Sequence, residues 1–176
     1  MPDRPTGPVL IIGGLSGTGS TTASRLVAEQ LGLEHVYAGG IFREHAAASG
    51  ETIEQYNETL KRHPELERKV DDGLVERARQ GNVIVESRVL AWILPPGTPG
   101  FKVWLTCAED ERLRRIRERE PGTTEDIKTR ERLESERYKA LYSISLSDLG
   151  TQDLVIDTTK VPAKEVAERI LTAFKK

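Results

Sequence analysis

The chain of 176 residues carries 26 basic against 28 acidic side chains, a net charge of -2, with 37% hydrophobic and 31% charged residues. That balance suits one globular domain with a sizeable core, excludes a disordered chain, and gives no electrostatic reason to expect nucleic acid or an acidic membrane as partner. Cys107 is the single cysteine, which excludes an internal disulfide and a cysteine-rich metal centre; it reads as a small buried residue at a strand end.

Residues 1 to 8, "MPDRPTGP", contain three prolines and read as a flexible tail before a single domain spanning 9–176. No stretch resembles a secretory signal or is apolar enough to span a bilayer, so a cytoplasmic protein is expected. "PVLIIGG" is an apolar run ending in glycine, as a buried parallel strand would be. "TTASRLVAEQLG" then places Ala23, Leu26, Val27 and Leu31 at helical spacing and stops at Gly32. "EHVYAGG" reads as a second strand. A polar helical region follows from about Ile41 to Gln80, interrupted near Gly50 and at Pro64. "NVIVES", "FKVWLTC" and "DLVIDT" give three more strands, and "AKEVAERILTAF" a closing helix. Strands alternating with helices predict an α/β three-layer sandwich built on a five-stranded parallel sheet, of the P-loop NTPase type. Such folds bind ligands beyond the carboxyl ends of their strands, where Ser16, Arg43, Glu86 and Arg88 fall.

The first strand runs into "GGLSGTGSTT", residues 13–22. Against the phosphate-binding pattern G-x-x-x-x-G-K-[ST], Gly14 and Gly19 take the glycine positions and Thr21 the hydroxyl position, while Ser20 stands where lysine is usual. Most of such a cradle is main chain: the amides of Gly14, Leu15, Ser16, Gly17, Thr18, Gly19, Ser20, Thr21 and Thr22 would face phosphate oxygens at a helix N-terminus. Thr21 would ligate Mg²⁺ through its hydroxyl, and Glu86 would order the ion through water. The competing reading is a bare strand-to-helix turn.

Residues 108–139 hold ten basic and ten acidic residues, too balanced for a nucleic-acid patch. Arg112, Arg115 and Arg119 lie along one helical stripe, and Arg130 and Arg137 along another. Arginine's planar fork suits polyphosphate and could replace the absent ammonium. Taken alone the segment also reads as a solvated, salt-bridged hairpin, with Glu118 and Glu134 as internal partners.

The loop, "AGGIFRE", "VIVESRVLAW", "VWLTCAEDERLRRIRERE", the "RE" to "RY" run at 130–138 and "DLVIDTTK", in that order, resemble the cytidylate kinase family in its compact archaeal-type branch. The likeness runs from about residue 9 to the C-terminus. It departs from the family pattern at Gly40, where an acidic residue is common, and at Ser87, where "ESR" replaces "EGR". The resemblance implies transfer of the γ-phosphoryl group of ATP to CMP or dCMP with Mg²⁺, by a monomer. It places an acceptor-binding region at about 41–80 and a lid at about 108–139. It assigns the acceptor to Gly39, Arg43, Arg88, Arg137 and Asp71, the last as cytosine reader. It assigns catalytic charge to Arg115, Arg119 and Arg130, and ATP-base contacts to Thr158 and Lys160. Three alternatives stay open at this point: another monophosphate such as UMP or AMP, a small metabolite acceptor, or a nucleotide-binding module without chemistry. His35, His45 and His63 lack ligand spacing and receive no role.

Overall fold

The computed structural model describes residues 7–119 and 122–175; residues 1–6 of the expected tail and 120–121 of the expected lid lie outside the described residues. Five strands, β1 (Val9–Gly14), β2 (Glu34–Tyr37), β3 (Val83–Glu86), β4 (Phe101–Thr106) and β5 (Leu154–Asp157), pair in parallel in the order β2-β3-β1-β4-β5. Because successive side chains alternate across a strand, Leu10 and Ile12 of β1 enter one core while Val9 and Ile11 enter the other. Both faces are therefore apolar and both need helices.

One face is covered by α1 (Ser20–Leu31) and the C-terminal α8 (Ala163–Phe174), through Ala23 and Val27 against Val166 and Ile170. The other face takes α4 (Pro64–Gln80), through Val70, Leu74 and Ala78, with the short α5 (Leu90–Ile93). This gives the expected three-layer α/β sandwich. Outside the layers, α2 (Ala38–Ala48) and α3 (Ile53–Arg62) share a small core of Ala46, Tyr56 and Leu60. A second satellite of Leu113, Ile116 and Ile127 joins α6 (Glu109–Arg117) to α7 (Thr124–Tyr142). Helix starts follow local chemistry: Thr52 and Thr123 each close a capping box, on α3 and α7, and Pro64 opens α4.

Two local expectations are corrected. β2 ends at Tyr37, and "AGG" forms the first turn of α2, because Gly39 lets the backbone fold beneath the Tyr37 ring; a Cβ there would lie 2.8 Å from ring atoms. Cys107 is half-buried beyond the end of β4, not enclosed.

β1 lies at the centre of the sheet with β3 and β4 on either side, so the chain reverses its winding there. This creates a crevice at the carboxyl end of β1. Tyr37 and Glu86 are register partners at the ends of β2 and β3, and Gly14 ends β1 beside them.

Candidate active site

A cleft of about 460 Å³ opens at this crevice. One wall is the glycine loop. Gly17 and Gly19 adopt φ of +83° and +89°, and Gly19 precedes α1 with no side chain capping the helix. The N-terminal amides of α1 are thus left to a ligand, and no acidic residue occupies its first turn to compete. Gly17 also meets a spatial limit, since an added Cβ would sit 2.6 Å from the Arg112 carbonyl oxygen. The loop is clamped from outside: Arg112 Nη1 donates to the Ser16 carbonyl at 2.8 Å, and Thr158 Oγ1 to the Thr18 carbonyl at 2.8 Å. Thr18 turns its own hydroxyl back to the Leu15 carbonyl.

The residue in the lysine position faces the cleft floor. Ser20 Oγ and Thr21 Oγ1 both donate to Glu86 Oε1, at 2.9 and 2.7 Å, and His35 Nε2 lies 3.1 Å from Glu86 Oε2. His35 therefore has a task that spacing could not reveal: it holds the carboxylate from behind, through a contact 51 residues distant in sequence.

The opposite wall carries arginines from separate elements. Arg43 of α2, Arg88 after β3, Arg119 after α6, and Arg130 and Arg137 of α7 all line the cleft. Gly39 lines it as well, and Arg43 stands 5.0 Å over the Tyr37 ring, which steers an otherwise exposed side chain. Four carboxylates share the lining, namely Glu54, Asp71, Glu86 and Glu134, against those five guanidinium groups. Arg88 donates to Ser16 Oγ at 2.6 Å and pairs with Glu134 of α7. Ser87 turns its hydroxyl toward the amides of Val89 and Leu90, starting α5 and keeping the added side chain on its own backbone.

Farther along the cleft, α4 and α7 meet through acid groups. Glu67, fully buried, accepts from Arg137 Nε at 2.6 Å, and its other oxygen has no hydrogen bond among the described residues. Asp71, one helical turn on and 2% exposed, accepts from the Tyr142 hydroxyl at 2.5 Å. Burial pushes the Asp71 carboxyl up to about 7, against the pull of the Tyr142 hydrogen bond and with Glu67 and Asp72 adding repulsion. Burial likewise raises Glu67, while Arg137 draws it back. Tyr56, Asn57 and Tyr138 complete this end.

Four expected residues are placed elsewhere. Thr18 is buried outside the lining, and its amide donates to the Leu15 carbonyl at 3.2 Å, so it closes the loop's own turn instead of facing a phosphate. Arg115 does not line the cleft. Its guanidinium spends its donors on Glu111, the carbonyls of Gly17, Thr158 and Thr159, and the Thr158 hydroxyl, so it braces the loop from behind. Thr158 is buried between β4 and the loop, and Lys160 is exposed outside the lining.

The oxygen set fits Mg²⁺. Thr21 and Glu86 offer hard oxygens side by side, and no cluster of three His, Cys, Asp or Glu among the described residues forms a cage of its own. Mg²⁺ is commonly held in this way, by one or two protein oxygens with phosphates and water.

A central strand feeding a glycine loop and an uncapped helix, faced by arginines across a cleft, defines a P-loop nucleotide-dependent phosphotransferase. A family model described as an AAA domain matches residues 10–139. The chain belongs to the cytidylate kinase family. The cytidylate kinase of Pyrococcus horikoshii is 38% identical over 86% of this chain and 80% of its own length. That of Methanocaldococcus jannaschii is 39% identical over 94% and 97%. Among solved structures, shikimate kinase from Acinetobacter baumannii in complex with shikimate matches 95% of this chain and 92% of its own with a TM-score of 0.59; at 21% identity the likeness is one of fold.

Proposed function

We propose that the protein transfers the γ-phosphoryl group of ATP to CMP or dCMP, giving ADP and the cytidine diphosphate. It would act as a monomeric cytoplasmic nucleoside monophosphate kinase in which 41–80 receives the acceptor and 108–139 forms the lid of one domain, 9–176. Relatives named cytidylate kinase at 38–39% identity over most of the chain support this reading. The observation that carries it is the convergence of Arg43, Arg88, Arg119, Arg130 and Arg137, from four separate parts of the chain, on one cleft with the glycine loop.

A monophosphate dianion is already a nucleophile, so no general base is required. The site needs to hold two phosphates in line and neutralise the charge that spreads over the transferred group. Loop amides and the α1 terminus would hold the donor's phosphates. Arg43 and Arg88 would hold the acceptor's, and Arg119 and Arg130 would close on the transferred group, fixed donors replacing mobile water. Mg²⁺ at Thr21, watered by Glu86, would screen the donor's negative oxygens. Arg115, Thr158 and Lys160 would serve the ATP side indirectly, by shaping the loop and the approach to the adenine. Asp71, with Arg137 and Asn57, would read the base. Cytosine's amino group is a donor that a carboxylate accepts, and uracil presents an acceptor at the same position. The silent-module alternative leaves the converging guanidinium groups without a task.

An ADP-release assay with CMP, dCMP, UMP and AMP tests the reading. CMP and dCMP should run well ahead of the others. ATP binding without transfer to any of the four would overturn it.

A further inference from the structure

Among the described residues, helix α7 is tied to other elements by Lys128–Glu109 at its start and by three arginine–glutamate pairs further along, at positions 131, 134 and 137. Arg112 and Glu131 form a two-pronged pair at 2.5 and 3.2 Å behind the loop, and Glu131 does not line the cleft. Arg137 and Glu67 pair against α4 with both side chains more than nine-tenths buried. The middle pair differs. Arg88 and Glu134 both line the cleft, with side chains 24% and 22% exposed, and Arg88 also grips Ser16 at the loop's apex. A carboxylate thus occupies a guanidinium that faces the point where donor and acceptor phosphates must meet.

A carboxylate and a phosphate offer an arginine the same fork of two oxygens. The partial exposure of this pair leaves water to receive either anion once released, more than at the less exposed pairs on each side. We propose that Glu134 is an internal stand-in for the acceptor phosphate, holding Arg88 against Ser16 until the substrate's phosphate takes its place. This rests on the reading of Arg88 as an acceptor arginine. Acceptor binding is then an exchange of anions. The apparent affinity is lowered by the fraction of molecules in which Arg88 is already taken, and a dianion wins where a carboxylate is displaced. With the acceptor absent, Arg88 is neutralised and contributes little to stabilising charge on ATP, which restrains transfer to water. Arrival of the acceptor also releases one of the ion pairs that hold α7, coupling occupancy to the freedom of the lid.

Calorimetric titration of CMP into the parent protein, Glu134→Gln and Glu131→Gln tests this. Glu134→Gln should bind CMP roughly tenfold more tightly, about 1.4 kcal/mol. It should also lower KM for CMP with little change in kcat, and hydrolyse ATP faster without acceptor. Glu131→Gln, which removes a neighbouring attachment outside the cleft, should lower the melting temperature without tightening CMP. Unchanged or weaker CMP binding by Glu134→Gln would overturn the proposal. Glu134→Asp, which keeps the charge on a shorter stem, gives the same comparison if the glutamine variant fails to fold, with an intermediate gain expected and no gain overturning it. Inorganic phosphate separates the two readings. If the parent neither binds nor phosphorylates CMP, the proposed function falls, and phosphate binding that is tighter in Glu134→Gln still supports the exchange, whereas unchanged phosphate binding ends it.

Discussion

Replacing Asp71 by asparagine removes a charge from a position 2% exposed while keeping the size of the side chain and an oxygen for the Tyr142 hydroxyl. The carboxyl titrates at about 7 in the folded protein against 3.8 as an isolated group, chiefly because burial disfavours its charged form. Between those values the folded state binds a proton that the unfolded state has lost, so stability falls as pH rises through this window. A displacement of about 3 units, at 1.36 kcal/mol each, bounds the loss at about 4 kcal/mol by pH 8. Glu67, raised in the same sense, adds a smaller dependence that the substitution leaves in place. Urea unfolding of parent and Asp71→Asn at pH 5, 6, 7 and 8 should show the variant gaining on the parent as pH rises to about 7 and the gap levelling off by pH 8. The same variant should lose about tenfold in kcat/KM for CMP at pH 8, where the parent carboxyl is ionised, and less at pH 6, where it is mostly protonated. Stability curves that stay parallel across the range would refute the argument that burial holds this carboxyl protonated.

Three further outcomes follow from the loop and its arginines. Ser20→Ala should change kcat/KM by less than about threefold while Thr21→Ala lowers it by about 100-fold, since only the second removes an oxygen suited to the metal; steady-state rates at varied Mg²⁺ check this. Arg119→Lys should lower kcat by about 100-fold and leave KM for CMP within about threefold, because an ammonium cannot reproduce the planar fork at the transferred group. Gly17→Ala should destabilise the protein by about 1–3 kcal/mol in denaturant unfolding, from its positive φ and the collision with the Arg112 carbonyl.

The sheet was legible because each strand is a compact apolar run between turn residues, and the loop because its glycines keep a fixed spacing. What escaped the sequence is contact between distant side chains. Glu67 looks like a surface charge on a polar helix, and Asp71 reaches the site only by resemblance; the packing of α7 over α4 is what encloses both. Only the competing, solvated-hairpin reading gives Glu134 a partner within its own segment; in the structure it pairs with Arg88 across the cleft. The stripe of Arg112, Arg115 and Arg119 divides by depth: the first is buried behind the loop, the second braces it, and the third is exposed and reaches the cleft. Helical periodicity fixes direction around an axis but not what stands opposite. Tyr37 gives no signal of its own in the sequence, as an aromatic residue at a strand end; its position over Gly39 and beneath Arg43 carries the meaning.

The helix that begins at the nucleotide loop packs against the last helix of the chain, and the loop itself is tied through Thr158 to the turn after the final strand. During synthesis the glycine-rich segment emerges well before the surfaces that shape it. A ribosome-bound nascent chain should therefore be unable to capture ATP until α8 has left the exit tunnel, so nucleotide binding would report that every layer of this domain has assembled.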